Sequence, residues 1–330
     1  MGPLIKNGWW IVDGGWWKKR AVFIFFCVLS SVFCRLSLAA DGNRSDFLRQ
    51  ADREYSRGKL DESTRLYERA VQEDPSNSAA FLSLGVNYAE KKNWDKSAEN
   101  LKKAADLDPQ NGETYLNLSL VYAEKEDFDR ALTYAREAVK ADPKNSKAYH
   151  TLALAYEGAG EPLKAADAYR QAVRIDPENS DAYLSMGNLY SRQNDLKNAA
   201  DAYREAIRAN PKNVFAYSNL AYVYQEKGQN TQAIEYLKQA AGAAPEDEVV
   251  WYDLGAAYAK ENDYAKAVEC YEKSHALKPD FYKACLSLEM AYEKQKELAK
   301  AAEFYTKAIS LTDNPRLKEA ILRQITRRTD

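Results

Sequence analysis

The sequence predicts an all-α protein, an α-solenoid of tandem helix-turn-helix repeats, and three observations predict it. Pro75, Pro109, Pro143, Pro177, Pro211, Pro245 and Pro279 stand 34 residues apart. Between them, apolar residues recur at helical rather than strand spacing. Small residues and tyrosines return at fixed positions in each block. A repeat of this length is one supersecondary unit that buries its apolar face only by stacking on neighbours.

Composition narrows the function. The 330 residues are 45% hydrophobic and 29% charged, with a formal net charge of −2. That excludes an intrinsically disordered chain, a polytopic membrane protein and a generally basic nucleic-acid binder. There are 23 Tyr but only two His, His150 and His275, so a His-based metal site or nucleophile–base pair has few parts. Cys27, Cys34, Cys270 and Cys285 form no CxxC pair. No metal or cofactor is expected.

Residues 1–40 read as an address. Lys18-Lys19-Arg20 precede an uncharged run, Ala21 to Phe33, and the small residues Ser37, Ala39 and Ala40 follow. A basic segment, a short apolar core and a small-residue site make a secretory signal peptide. The run is short for a membrane span, which needs about 20 residues. Trp9, Trp10, Trp16 and Trp17 make the first segment unusual, and an uncleaved anchor over residues 21–40 is the alternative. Phe33 is too bulky to precede an acylated Cys34. The leader holds five basic groups and Asp13, a net +4, so the whole-chain −2 leaves −6 on the remainder. Such a surface has no electrostatic pull toward DNA or anionic lipid.

The block 112–145 serves as the type repeat. Tyr115, Leu118, Ser119 and Tyr122 fall at i, i+3, i+4 and i+7, one stripe of a first helix. Glu126-Asp127 marks a turn, and Asp127 caps the second helix, lined by Ala131, Ala135 and Ala138. Asp142-Pro143 ends it, because proline disfavours helix in the residue before it. Asn145 and Ser146 cap the next first helix. In this register the repeats are 44–77, 78–111, 112–145, 146–179, 180–213, 214–247, 248–281 and 282–316. Small residues recur where helices approach, as at Gly85, Ser119, Ala153, Gly187 and Gly255. Pro162 suits the first residue of a second helix. The first repeat has Gln50 and Glu54 where Leu and Tyr are expected, and the eighth has Glu289 at the small position. Leu317, Ile321 and Ile325 place a capping helix over 317–330.

These residues resemble the tetratricopeptide repeat (TPR) family: aromatic–x–x–Leu–Gly/Ala–x–x–Tyr, then Ala, an aromatic and Pro. Trp251, Leu254, Gly255, Tyr258, Ala267, Tyr271 and Pro279 carry the pattern closely. The resemblance covers residues 44–316 in eight repeats. It implies a right-handed superhelix whose first helices line an extended concave groove.

Residues beside the core stripe, most of them apolar, then become candidate groove residues: Leu82, Val86, Leu116, Leu120, His150, Leu154, Leu184, Asn188, Phe215, Tyr222, Tyr252 and Met290. An extended peptide or a helix would occupy them. Each Leu has an alternative role, packing against the next first helix, and the recurring Tyr88-type tyrosines are core. Some family members clamp a chaperone's terminal carboxylate with Lys, Asn and Arg. Asn188 and Asn219 fit two such positions, but Val249 and Asp253 stand where cations belong, so that clamp is not expected. Cys270 and Cys285 lie on adjacent helices, as free buried thiols or, in an oxidising compartment, a disulfide. His275 stands near a helix C-terminus, where a cation suits the dipole. The abundant carboxylates are expected on outward, solvated faces.

The expected function is a non-enzymatic protein–protein interaction scaffold of the cell envelope, exported to the periplasm or outside. Its partner is a protein or peptide, with no nucleic acid and with membrane association through the N-terminus alone. The alternative is a self-associating assembly factor for a pilus, secretion or outer-membrane machine. An enzyme is not expected: only 14 residues follow residue 316, and no GxxxxGK[ST] loop occurs.

Overall fold

The computed structural model describes residues 46–311 and Lys318. The expected leader and, apart from Lys318, the expected capping helix over 317–330 lie outside the described residues. Among the described residues there are sixteen α-helices and no strand. The first helices of the repeats are α1 (Asp46–Ser56), α3 (Ser78–Glu90), α5 (Gly112–Glu124), α7 (Ser146–Gly158), α9 (Ser180–Arg192), α11 (Val214–Glu226), α13 (Glu248–Lys260) and α15 (Tyr282–Lys294). The second helices are α2 (Leu60–Glu73), α4 (Trp94–Leu107), α6 (Phe128–Ala141), α8 (Pro162–Ile175), α10 (Leu196–Ala209), α12 (Asn230–Ala243), α14 (Tyr264–Leu277) and α16 (Leu298–Ser310). The fold is an all-α repeat solenoid. It divides at Asp176/Pro177 into two compact units, α1–α8 and α9–α16.

The turn within each repeat follows from local chemistry. The residue after each first helix's last turn has positive φ: Gly58, Lys92, Glu126, Gly160, Asn194, Gly228, Asn262 and Lys296, from 57° to 75°. These eight positions are 34 residues apart. The next N–H reaches back to the carbonyl of the recurrent tyrosine, as in Asn93 to Tyr88 and Asp127 to Tyr122, both 2.9 Å. That six-residue closure satisfies a carbonyl the helix end leaves open. The same residue then caps the second helix. Asn93, Asp127, Asp195 and Asp263 accept a first-turn N–H with their side chains. Glu161, Gln229 and Glu297 stand there without such a bond.

The turn between repeats is equally regular. Asp142 ends α6 in an extended conformation, φ −140° and ψ 91°, as the following proline requires. Asn77, Asn111, Asn145, Asn179, Asn213 and Asp247 cap the next first helix. Phe281 at the last of these positions provides no side-chain cap.

Packing within each unit follows the small residues. In the N-terminal unit a core of Leu82, Val86, Leu101, Leu118, Val121, Tyr122 and Leu132 runs through α3–α6. A second core joins Leu48, Tyr67, Leu84 and Tyr88. In the C-terminal unit Tyr271, Cys285, Leu288, Tyr292 and Phe304 form the core of α14–α16. Where the small residue is Ser119, its hydroxyl donates 2.9 Å to the carbonyl of Ala131 across the helix pair. Cys270 and Cys285 are buried free thiols.

Candidate functional site

The face that the sequence assigns to binding carries the fifth, ninth and thirteenth residues of each first helix. In the N-terminal unit these include Leu82, Val86 and Glu90 on α3, and Leu116, Leu120 and Glu124 on α5. Spacing of four residues places each trio on one side of its helix.

The structure buries half of the candidate list. Leu82, Val86, Leu116, Leu120, His150 and Leu184 are buried, none more than 4% exposed. Leu82 and Val86 pack in the same core as Leu118 and Val121 of the following first helix. Leu116 clusters with Ala138 and Ala148. The physical reason is that, within each unit, a first helix packs on its own second helix and on helices of the adjacent repeat. Such residues are floor, not contact surface. His150 stacks at a tilt on Tyr169, ring centroids 5.7 Å apart, and burial lowers its pKa to about 4. The nearby Lys147 charge adds to that shift.

The other candidates keep surface. Leu154, Asn188, Phe215, Tyr252 and Met290 are half-buried, and Tyr222 is 44% exposed. In the C-terminal unit the Asn219 amide donates to the Asn188 side-chain oxygen at 2.8 Å. The Tyr203 hydroxyl donates to that same oxygen, also at 2.8 Å. Tyr252 is held between Tyr271 and the edge of Phe281. Its hydroxyl pKa is raised, mainly by burial.

Several features escaped sequence reasoning. Second-helix tyrosines reach polar residues of their own repeat's first helix: Tyr67 bonds Asp52, Tyr169 bonds Glu157, and Tyr203 bonds Asn188. Their signal is a tyrosine 12 to 15 residues after a first-helix Asp, Asn or Glu. The Tyr88-type rings carry a cation eight residues on, as with Lys96 over Tyr88 at 5.0 Å and Arg130 over Tyr122 at 5.3 Å. An open cleft of about 670 Å³ beside Tyr122 is lined by Asp95, Lys102, Lys125 and Arg130 among others. Of its charged residues, Asp95 pairs with Lys125, and Arg130 pairs with Asp127 outside the cleft lining.

Burial bears on two further expectations. His275 does stand in the last turn of α14, but burial lowers its pKa, with the Lys307 charge adding to the effect. The carboxylates are not all on solvated outer faces either. Glu113, Glu124 and Glu90 are half-buried, and burial raises the pKa of each.

Among the described residues no group of three or more His, Cys, Asp or Glu is placed to hold a metal ion. No helix among them is long and apolar enough to cross a membrane.

Solved structures resemble this fold. One described as the functional characterization of Pseudomonas aeruginosa pilF is 20% identical, covering 64% of this chain and 97% of its own, at TM-score 0.54. Another, of the APC/C hetero-tetramer Cut9–Hcn1, is 18% identical, covering 89% of this chain and 58% of its own, at TM-score 0.52. At these identities the likeness speaks for the fold alone. No curated protein matches the chain. Tetratricopeptide repeat models match residues 48–112, 87–146, 116–180, 150–214 and 184–248. Two more match residues 249–281 and 284–319. Repeats of this kind are generally non-catalytic scaffolds that bind protein or peptide partners, and with this pairing of helices and these matches the chain belongs to the tetratricopeptide repeat family.

Proposed function

We propose that the chain is a non-enzymatic interaction scaffold of the cell envelope, exported by residues 1–40 and binding a partner segment along its first-helix faces. It comprises eight repeats, 44–77 through 282–316, closed by residues 317–330. The observation that carries the binding role is Tyr222, a large aromatic left 44% exposed on a first helix whose core positions are closed. Exposed tyrosines of this kind serve as interface anchors. Half-buried Phe215, on the same helix, supports it.

The test is a crosslinking pull-down from envelope extract, comparing the native chain with Tyr222→Ser at equal helicity. A partner captured by the first and lost by the second supports the reading. A partner captured equally by both overturns it. Export is checked by N-terminal sequencing of the protein recovered from the envelope: a start within a few residues of Asp41 supports cleavage, and an intact Met1 supports the anchor.

A further inference from the structure

The first-helix face of the N-terminal unit carries three carboxylates that are half-buried and yet make no ion pair. Many exposed carboxylates sit three residues from a cation and pair with it, as in Glu62–Arg65, Glu137–Lys140 and Asp167–Arg170. Glu90, Glu113 and Glu124 do not. Among the described residues none of the three makes an ion pair within 4.0 Å. Glu90 accepts only a long 3.4 Å bond from the Tyr55 hydroxyl. Lys147 and Lys92 act on Glu113 and Glu124 only at longer range.

These carboxylates border a closed apolar floor. Val86 lies four residues before Glu90, and Leu120 four before Glu124, both buried. Half-buried Asp52 on α1 and Glu157 on α7 are bonded to Tyr67 and Tyr169. Lys147 is the one Lys or Arg within α3, α5 and α7. Carboxylates drawn partly out of water without a cation cost stability unless something else supplies the charge.

We propose that the first-helix face of α3, α5 and α7 docks a cationic amphipathic segment of a partner protein. Its Lys or Arg side chains meet Glu90, Glu113 and Glu124, and its apolar residues lie over Leu154 and Ala123, half-buried apolar side chains of α7 and α5. Complementary charge sets the orientation and the association rate, while the apolar contact slows dissociation. The proposal rests on the scaffold reading above and adds the partner's chemistry.

The test uses the full chain and two labelled probes, (Leu-Lys-Lys-Leu)₃ and (Leu-Glu-Glu-Leu)₃, read by fluorescence anisotropy. The cationic probe binds and the anionic one does not. The triple variant Glu90→Gln, Glu113→Gln, Glu124→Gln weakens cationic binding by about tenfold or more at unchanged helicity. The control triple Glu99→Gln, Asp106→Asn, Asp129→Asn, all exposed on second helices, leaves it within about twofold. Equal loss in both triples overturns the proposal, because binding then reads net charge alone. Absence of cationic binding, with an envelope partner still lost on Tyr222→Ser, overturns the partner chemistry but spares the scaffold reading. A partner indifferent to Tyr222→Ser and to the Gln triple overturns both.

Discussion

Gly255 lies directly against the ring of Tyr271, sixteen residues on. A Cβ at Gly255 would stand 2.7 Å from two ring carbons and 3.1 Å from the Ala267 carbonyl oxygen. The backbone oxygen cannot swing aside, so Gly255→Ala forces the helix pair apart. Overpacking of this kind costs about 1–3 kcal/mol, against which alanine's helix propensity returns about 1. A net loss of about 1 kcal/mol is expected in chemical denaturation. An unchanged midpoint would show that α13 and α14 can separate freely.

The turn of positive φ gives an opposite pair of outcomes. Glu126 adopts φ 59°, where a side chain costs about 1–2 kcal/mol. Glu126→Gly should stabilise the protein by about 0.5–1 kcal/mol once the looser unfolded chain is counted. Gly160 has φ 75° with open space around it. Gly160→Ala should therefore destabilise by about 1 kcal/mol through backbone strain and not through a clash. Thermal melts of the two variants should move in opposite directions.

Gln229 occupies the capping position that Asp127, Asp195 and Asp263 fill, with similar backbone angles and no side-chain bond. Gln229→Asp supplies the missing acceptor for the first turn of α12. A gain of about 1 kcal/mol is expected, and Asp195→Ala should lose a similar amount. If the gain is absent, the cap at Asp195 is also worth less than its geometry promises.

His150 gives the stability a pH dependence of known sign. Burial lowers its pKa to about 4 from the ordinary 6.5, so the folded protein holds it neutral. The unfolded chain binds the proton first. The contribution is complete above about pH 6.5 and is lost progressively as pH falls toward 4, by about 3 kcal/mol. The half-buried Glu90, Glu113 and Glu124 act the other way, because their raised pKa values favour the protonated folded state. The comparison that isolates the histidine is native chain against His150→Gln. The difference in unfolding free energy between pH 7 and pH 4.5 should shrink in the variant.

Much of the architecture could be read from residue spacing because its causes are local. Asn111, Asp127 and Asp142-Pro143 act on backbone groups within a few residues, and the structure uses each as its chemistry dictates. Burial on the first-helix face was harder to read. Leu120 and Tyr222 stand at the same position in their repeats, yet the first is 3% exposed and the second 44%. What separates them is the side chains on neighbouring helices, which a single helix's periodicity does not contain. The same limit hid the half-buried glutamates: Glu124 has lysine next to it in sequence, but Lys125 pairs with Asp95 instead.

The residue that closes one helix also opens the next. Asn93 donates its N–H to the Tyr88 carbonyl, and its side-chain oxygen accepts from the N–H of Lys96. The hairpin therefore has no slack. One residue added or removed there would cost both ends at once and rotate the following helix by about 100°, turning its apolar face away. Length variation in a gene of this kind is consequently quantised: it grows or shrinks by duplicating or losing whole 34-residue copies, while point changes accumulate within them.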